Sequence, residues 1–279
     1  MQGAIDTHVH SAPDLVPRKG DDVELASQAA RAGMAGYVSK NHQSPTAGQA
    51  AIATKSVGQV RVYGSVVLNS ALGGINPDAV RAAIGSGART VWLPTISSEH
   101  HQQLAATSER AAGVGGGSLS GPVKVLDGFG HLVPALYDVF DLVKNAGVLL
   151  ETGHLSVPEI IQIAKEARAR GLEKVVITHP ESVLVGMPLN DQVELARLGC
   201  YLAHCYNVIG ESATMAEMAQ NIRGVGFGQC LIATDFGQAK NPWPVDGLRL
   251  FISGLLSEGF KKSEIRRMVS QNPAQLLAG

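Results

Sequence analysis

Charge is scarce in this sequence. Only 17% of its 279 residues are Asp, Glu, Lys or Arg, and 24 acidic against 23 basic side chains leave a formal net charge of −1. So neutral a chain has no overall field with which to collect nucleic acid or an anionic membrane surface. Aromatic residues make up 5%, too few to suggest a platform for stacking bases. The three cysteines, Cys200, Cys205 and Cys230, lack the paired spacing of a zinc ribbon or a disulfide framework. They read as buried free thiols in a reducing compartment, so the cytoplasm is the expected location. No run approaches the roughly 18 apolar residues of a membrane span. Acid and histidine appear by residue 6, unlike a secretory leader. No Gly-x-Gly-x-x-Gly follows an early strand, which argues against a dinucleotide-binding fold.

What is present is apolar bulk and glycine: 45% hydrophobic residues and 32 glycines, enough for a large core and many tight turns. Short runs rich in Val, Ile and Leu recur at 4–10, 36–42, 60–69, 90–97, 148–154, 174–180, 200–207 and 230–237. Helical patterns alternate with them at 21–32, 47–56, 77–86, 133–145, 157–170, 191–198, 212–222 and 244–259. Alternation of this kind predicts βαβ crossovers and a parallel sheet buried on both faces. Eight repeats in a chain this long favour one (β/α)8 barrel, a TIM barrel, as a single domain over residues 1–279. Residues 98–134 interrupt the rhythm between the fourth and fifth strands. Their Gly/Ser-rich middle, 113–121, is predicted as a flexible loop and 123–126 as a short extra strand or hairpin. At the active-site end of a barrel such an insertion is placed to act as a lid.

Polar residues collect where the predicted strands end: Asp6-Thr-His8-Val-His10, Glu151-Thr-Gly-His154, Thr178-His179 and Thr234-Asp235. A barrel brings these ends to one face, where its active site lies. His8 and His10 are two apart and so share a face of their strand. Two imidazoles and a carboxylate, with a position left for water, suit a catalytic Zn²⁺. A lone His-x-His is as well explained by core histidines; His154, His179 and Asp235 on other strands turn the reading towards a metal. Glu151, three before His154, reaches the same site only if its strand ends or bulges between them, which Gly153 permits. Otherwise it pairs with a cation behind the sheet. Lys40 ends the second strand as either a solvated loop lysine or a cation for a carbonyl or carboxylate. His42, His204, Tyr206 and Asn207 lie near strand ends and could contact substrate. His100, His101 and His131 read as surface or lid residues, and Gly237-Gln238 as shaping the loop over the metal.

In order and spacing, Asp6-x-His8-x-His10, His154, His179, Asp235 and the closing Asn272-Pro-Ala-Gln-Leu-Leu277 resemble the amidohydrolase superfamily, in its compact form without a β-sandwich. The resemblance covers nearly the whole barrel. It implies His8, His10 and Asp235 as ligands, with His154 and His179 as further ligands or substrate contacts. It also implies one or two divalent ions, Zn²⁺ foremost and Mn²⁺ or Fe²⁺ as alternatives, and mild self-association into a homo-oligomer. One position departs. Binuclear members carry a bridging carboxylated Lys or a Glu on the fourth strand, and Thr90-Val-Trp-Leu-Pro-Thr-Ile-Ser97 has neither. The site is then mononuclear, or Glu151 or a carbamylated Lys40 supplies the bridge. The expected activity is hydrolysis of an amide, lactone or similar bond in a small molecule. Asp235 would act as the base, His179, His154 or Lys40 as oxyanion donor, and Asp6 would orient a histidine. Alternatives are a metal-dependent decarboxylase or lyase, a non-catalytic metal-binding or ligand-sensing barrel and, weaker, an aldolase using Lys40.

Overall fold

Apolar runs with no polar face can be hidden only in a sheet covered on both sides. In the computed structural model, which describes residues 1–114 and 117–278, eight of them form one parallel sheet. The strands are β1 Ile5–His10, β2 Gly36–Lys40, β3 Arg61–Val67, β4 Ala88–Trp92, β5 Leu149–Glu151, β6 Val175–Thr178, β7 Tyr201–Cys205 and β8 Cys230–Ala233, paired in chain order. The sheet nearly closes on itself just beyond β8. There Asp235 N donates to His8 O at 2.9 Å and His10 N donates to Phe236 O at 2.8 Å. Asp6 fastens the same seam, its carboxylate accepting from Thr234 N at 3.0 Å and Thr234 Oγ1 at 2.5 Å. The barrel is joined at the residues that carry the chemistry.

The helices are α1 Asp22–Arg31, α2 Ala47–Val57, α3 Pro77–Gly85, α4 Glu99–Ala105, α5 Glu109–Ala112, α6 Pro134–Ala146, α7 Val157–Ala169, α8 Leu189–Arg197, α9 Met215–Val225, α10 Pro244–Ser257, α11 Lys262–Arg266 and α12 Asn272–Leu277. Local chemistry sets their ends. Asp21 accepts from Val23 N and Glu24 N at 2.9 Å each to cap α1, and Glu159 accepts from Ser156 N at 2.8 Å at the start of α7. The helices pack outside the sheet in two large apolar clusters. A third cluster fills the barrel: Ile5, Val38, Leu149, Val176, Ala203 and Leu231, plugged from below by Leu276 and Leu277 of α12. The closing Asn-Pro motif therefore seals the floor, with Asn272 Nδ2 donating to Phe227 O and Cys230 O at 3.0 and 2.8 Å. Burying each of those leucines contributes about 1.5–3 kcal/mol.

The predicted elements agree with these to within a few residues, except that several strands end sooner, β5 at Glu151 rather than at 154. The insertion holds α4, α5 and two bridges, Ser98 with Val123 and Leu126 with Leu132, so 123–126 does join a small hairpin. The predicted flexible loop includes residues 115 and 116, which lie outside the described residues. The three cysteines are free and buried. Among the described residues no helix is long and apolar enough to cross a membrane.

Candidate metal centre

Alternation along each strand puts a polar residue one pleat above the apolar floor. Val38 is followed on the inner face by Lys40, Leu149 by Glu151 and Ala203 by Cys205; β8 extends the pattern past its end to Asp235. On β1 strict alternation from Ile5 would turn Val9 inward. A register shift between Asp6 and Val9 corrects this: Val9 packs outside, and His8 and His10 face in. His8 Nε2 and His10 Nε2 lie 3.0 and 3.1 Å from the same Asp235 Oδ1. One ligand atom from each of the three residues falls within 4.8 Å of the others, close enough to share an ion. Lys40 Nζ stands 3.0 Å from His8 Nε2. Beneath them lies Trp92, its ring 4.6 Å from the His8 ring and 4.1 Å from Lys40 Nζ. The indole thus takes the inner position of β4 from which a bridging ligand would project.

Two site residues hold left-handed backbone, His179 at φ 27° and Asp235 at φ 54°, and among the described residues no other non-glycine does. Such conformations cost of order 1–3 kcal/mol and persist where the surroundings enforce them. At Asp235 the β8–β1 seam does so. Gly237, two residues on, runs against the His10 carbonyl so closely that no side chain fits.

Burial dominates the electrostatics. It holds His10 and His154 well below the ordinary imidazole range, lowers His8, and takes His179 to about 3, so these rings are neutral. Burial would raise Asp235, but its contacts with His8 and His10, hydrogen bonds among them, outweigh it and hold this carboxylate well below the usual range. Burial also brings Lys40 down to about 8 and Glu151 up to about 8, despite the Thr178 hydroxyl that donates to Glu151 at 2.7 Å.

Further from the three-residue cluster, His179 stacks 5.9 Å from His8, both its ring nitrogens buried and unpartnered. His154 lies 5.1 Å from His179, and His42 lies 4.8 Å from His10 with Nδ1 2.8 Å from Thr95 Oγ1. Asn207 Nδ2 reaches Asp235 Oδ2 at 3.5 Å. A cavity of about 540 Å³ opens above, walled by His10, Lys40, His42, His154, Asn207 and Asp235 and by Val16, Pro17, Arg18, Val114 and Leu184.

Many of the residues singled out in the sequence therefore meet at this mouth. Because β5 stops between Glu151 and His154 the two need not face opposite ways: His154 lines the cavity, whereas Glu151 is buried on the Thr178 hydroxyl, outside the three-residue cluster and the cavity lining. Gly153 turns the chain at φ 66°, where a Cβ would lie 2.5 Å from the Leu93 and Pro94 carbonyl oxygens. His204 does not reach it. Ala203 and Cys205 hold the inner face of β7, so His204 points out among the helices, Nδ1 2.9 Å from Glu181 Oε1. Tyr206 packs on Phe236 and Phe251. Asp6 touches the backbone N of His8 at 3.2 Å, not its ring, and clamps the seam rather than orienting a histidine. His131 is exposed, as read, but His101 is not. It is buried against His154, Nδ1 to Nδ1 3.1 Å, with rings stacked at 5.0 Å. Ser98, whose Oγ accepts from His101 N at 3.0 Å, was the available signal, a cap that starts a helix there. Trp92 and Cys205, 3.8 Å from His8 Nδ1, were also missed; counting in steps of two from the floor finds both.

No curated protein matches the sequence. Among solved structures, an amidohydrolase from Pseudomonas aeruginosa superposes with a TM-score of 0.65 at 11% identity, over 99% of this chain and 95% of that one. The dipeptidase AC, a metallo peptidase, gives 0.65 at 11% over 99% and 98%. A protein assigned as a 2-pyrone-4,6-dicarboxylic acid hydrolase from Pseudomonas putida gives 0.62 at 14% over 99% and 98%. At such identities the likeness is one of fold: the near-closed parallel barrel of amidohydrolase-superfamily structures. A family of unknown function, DUF6282, matches residues 3–203.

Proposed function

We propose that this chain, which belongs to the DUF6282 family, is a metal-dependent hydrolase of an amide, lactone or similar carbonyl-type bond in a small molecule. One observation carries the reading: His8, His10 and Asp235 present two imidazole nitrogens and a carboxylate oxygen to a common point on the floor of a cavity of about 540 Å³. That donor set fits a borderline ion, Zn²⁺ first and Mn²⁺ or Fe²⁺ next. The neutral, unpartnered His179 beside it offers a further nitrogen. A cavity of this size takes a small molecule. A single ion is favoured because the Trp92 indole fills the β4 position.

A divalent ion there would bring the pKa of a bound water towards about 7 and polarise the scissile carbonyl. Asp235 keeps Oδ1 between the two imidazoles, which leaves Oδ2, beside Asn207, to take the water proton and return it to the leaving group. The water oxygen adds to the carbonyl carbon, and the bond to the leaving nitrogen or oxygen breaks as that proton arrives. Lys40, fixed over Trp92, is the donor to the oxygen that gains charge; one such donor is worth about 3 kcal/mol of barrier. Glu151 is itself held by the Thr178 hydroxyl.

The test is metal analysis of protein purified without chelator, with a panel of lactones, amides and esters turned over in ¹⁸O-labelled water. One transition metal per chain and label in the acid product are expected. Absence of stoichiometric metal, with His8→Ala and Asp235→Asn still active, overturns the reading. Release of CO₂ without label replaces it with decarboxylation.

A further inference from the structure

We propose that Arg18 binds a carboxylate on the substrate, so that the molecule hydrolysed at this centre is itself a small organic acid. The inference deepens the hydrolytic reading and rests on it for the reaction, but not for the binding. Arg18 sits in the loop between β1 and α1, and with Val16 and Pro17 it forms one wall of the cavity that holds His10 and Asp235. Backbone contacts fix that loop. Ala12 N donates to Gly20 O at 2.9 Å, Lys19 N donates to Gly237 O at 2.7 Å, and Arg18 forms a bridge with Gln238. Gln238 Nε2 donates in turn to Asp235 O at 2.9 Å, which ties Arg18 to the strand end that carries the carboxylate of the centre.

The guanidinium is enclosed and only partly engaged. Its side chain is 3% exposed, although the loop around it shows Leu15 to solvent at 61%. Asp14 meets it with a single oxygen. Oδ2 accepts from Nε at 2.7 Å and lies 2.6 Å from Nη2, while Oδ1 accepts from Leu15 N at 2.6 Å. Nη2 is buried without a hydrogen bond of good geometry, and among the described residues Nη1 has no acceptor. A guanidinium carries five N–H donors, of which Asp14 thus takes one. The outer pair of nitrogens forms the planar fork that matches the two oxygens of a carboxylate. Keeping such a cation from water costs free energy, and a loop already held by its backbone does not require it. A ligand that fills the fork offsets that cost. Charge favours a carboxylate over a phosphate dianion. Arg18 is one cation with Asp14 already beside it. Apart from Lys40 and Asp235 at the centre, the other charged residues lining the cavity, Glu109, Glu211 and Lys240, are exposed. One negative charge suits that wall; two do not.

Calorimetric titration of the full chain as purified tests this, with acetate, benzoate, succinate and glutarate each paired with its uncharged amide, and with phenyl phosphate beside them. At least one carboxylate should bind about tenfold or more tightly than its amide, the difference that hydrogen bonds to a charged group make, and more tightly than phenyl phosphate. In Arg18→Gln that preference should vanish while the amide keeps its affinity; a merely structural arginine would change both alike. A carboxylate held by a bound metal ion instead would keep its preference in Arg18→Gln, and that result overturns the proposal. So does a panel in which no carboxylate outbinds its amide, or in which phenyl phosphate binds best. Should the single variant not fold because Asp14 is left alone, Asp14→Asn/Arg18→Gln removes both charges and reads the same preference. Repeating the wild-type titration after chelation separates the two claims. The preference should persist without metal, whatever the hydrolysis panel shows, and its loss there also overturns the proposal.

Discussion

The floor and the rim of this barrel are built on the same strands, two to four residues apart, and follow opposite rules. At the floor Ile5, Val38, Leu149, Val176 and Leu231 face one another with no polar atom to satisfy. Higher on the same strands, His8, Lys40, Glu151 and Asp235 are as deeply buried or nearly so, and burial displaces or opposes the charge of each. The lower layer gains free energy from water exclusion; the upper layer gives some of it up to keep ionisable groups where no solvent competes for them. Fold and chemistry are thus separable along each strand, and substitutions should sort accordingly.

The largest effect belongs to the rim. Asp235→Asn keeps the shape and removes the charge, and turnover on any substrate found should fall between about 10² and 10⁴-fold while the melting temperature changes little. Steady-state kinetics beside a thermal melt would show this, and parallel losses of both would break the distinction. Next comes a charged pair on the other side of the sheet, His204 with Glu181. Burial acts to lower His204, but the Glu181 charge and further interactions, including the Cys230 thiol, outweigh it and bring the ring to about 10. His204→Leu strands a buried carboxylate and should cost about 3–5 kcal/mol in urea unfolding, with bound metal unchanged. At the floor, Leu149→Ala should cost about 2–5 kcal/mol through its cavity and leave metal stoichiometry intact. A loss of metal there would show that the two layers are coupled.

The change that is most gradual to read is a slope, small at each step of pH. Glu151 ionises near 4.5 in the unfolded chain but near 8 in the folded one, so between those values the native state holds the extra proton. Stability of the metal-free protein should therefore fall as pH rises through this window, by about 1.4 kcal/mol per pH unit for this group. Asp6, raised by burial to about 7, adds in the same direction between 3.8 and 7. Lys40, lowered to about 8, works the opposite way and restores stability between 8 and 10.5. Glu151→Gln should flatten the first slope, read from urea midpoints at successive pH values. An unchanged slope would place Glu151 in a more polar setting than the barrel interior.

How much of this was legible in the sequence follows from periodicity. The barrel was, because eight apolar runs spaced by helices leave few other ways to bury both faces. The shared face of His8 and His10 was too, because they are two apart. Which face they share was not: it depends on the register slip after Asp6, and backbone irregularity leaves no mark in residue type. The same gap explains His204, whose position near a strand end said nothing of the side it takes until Ala203 and Cys205 were seen to face in. Glu151 turned on where β5 stops, and Gly153 gave a usable hint. His101 was hidden because its burial arises from packing of the insertion on His154, a contact across 53 residues.

Trp92 has one more consequence. The chain has two tryptophans, and the other, Trp243, is the N-cap residue of α10. An indole held 4.1 Å from an amine that loses its proton near pH 8, and 4.6 Å from the His8 ring, is a built-in fluorophore. Its emission should respond to titration of Lys40 and be quenched by Co²⁺ or Cu²⁺ loading, and Trp92→Phe should silence both signals while Trp243 remains as the reference. The residue that displaced the expected bridge thereby makes the centre readable by light, before any substrate is known.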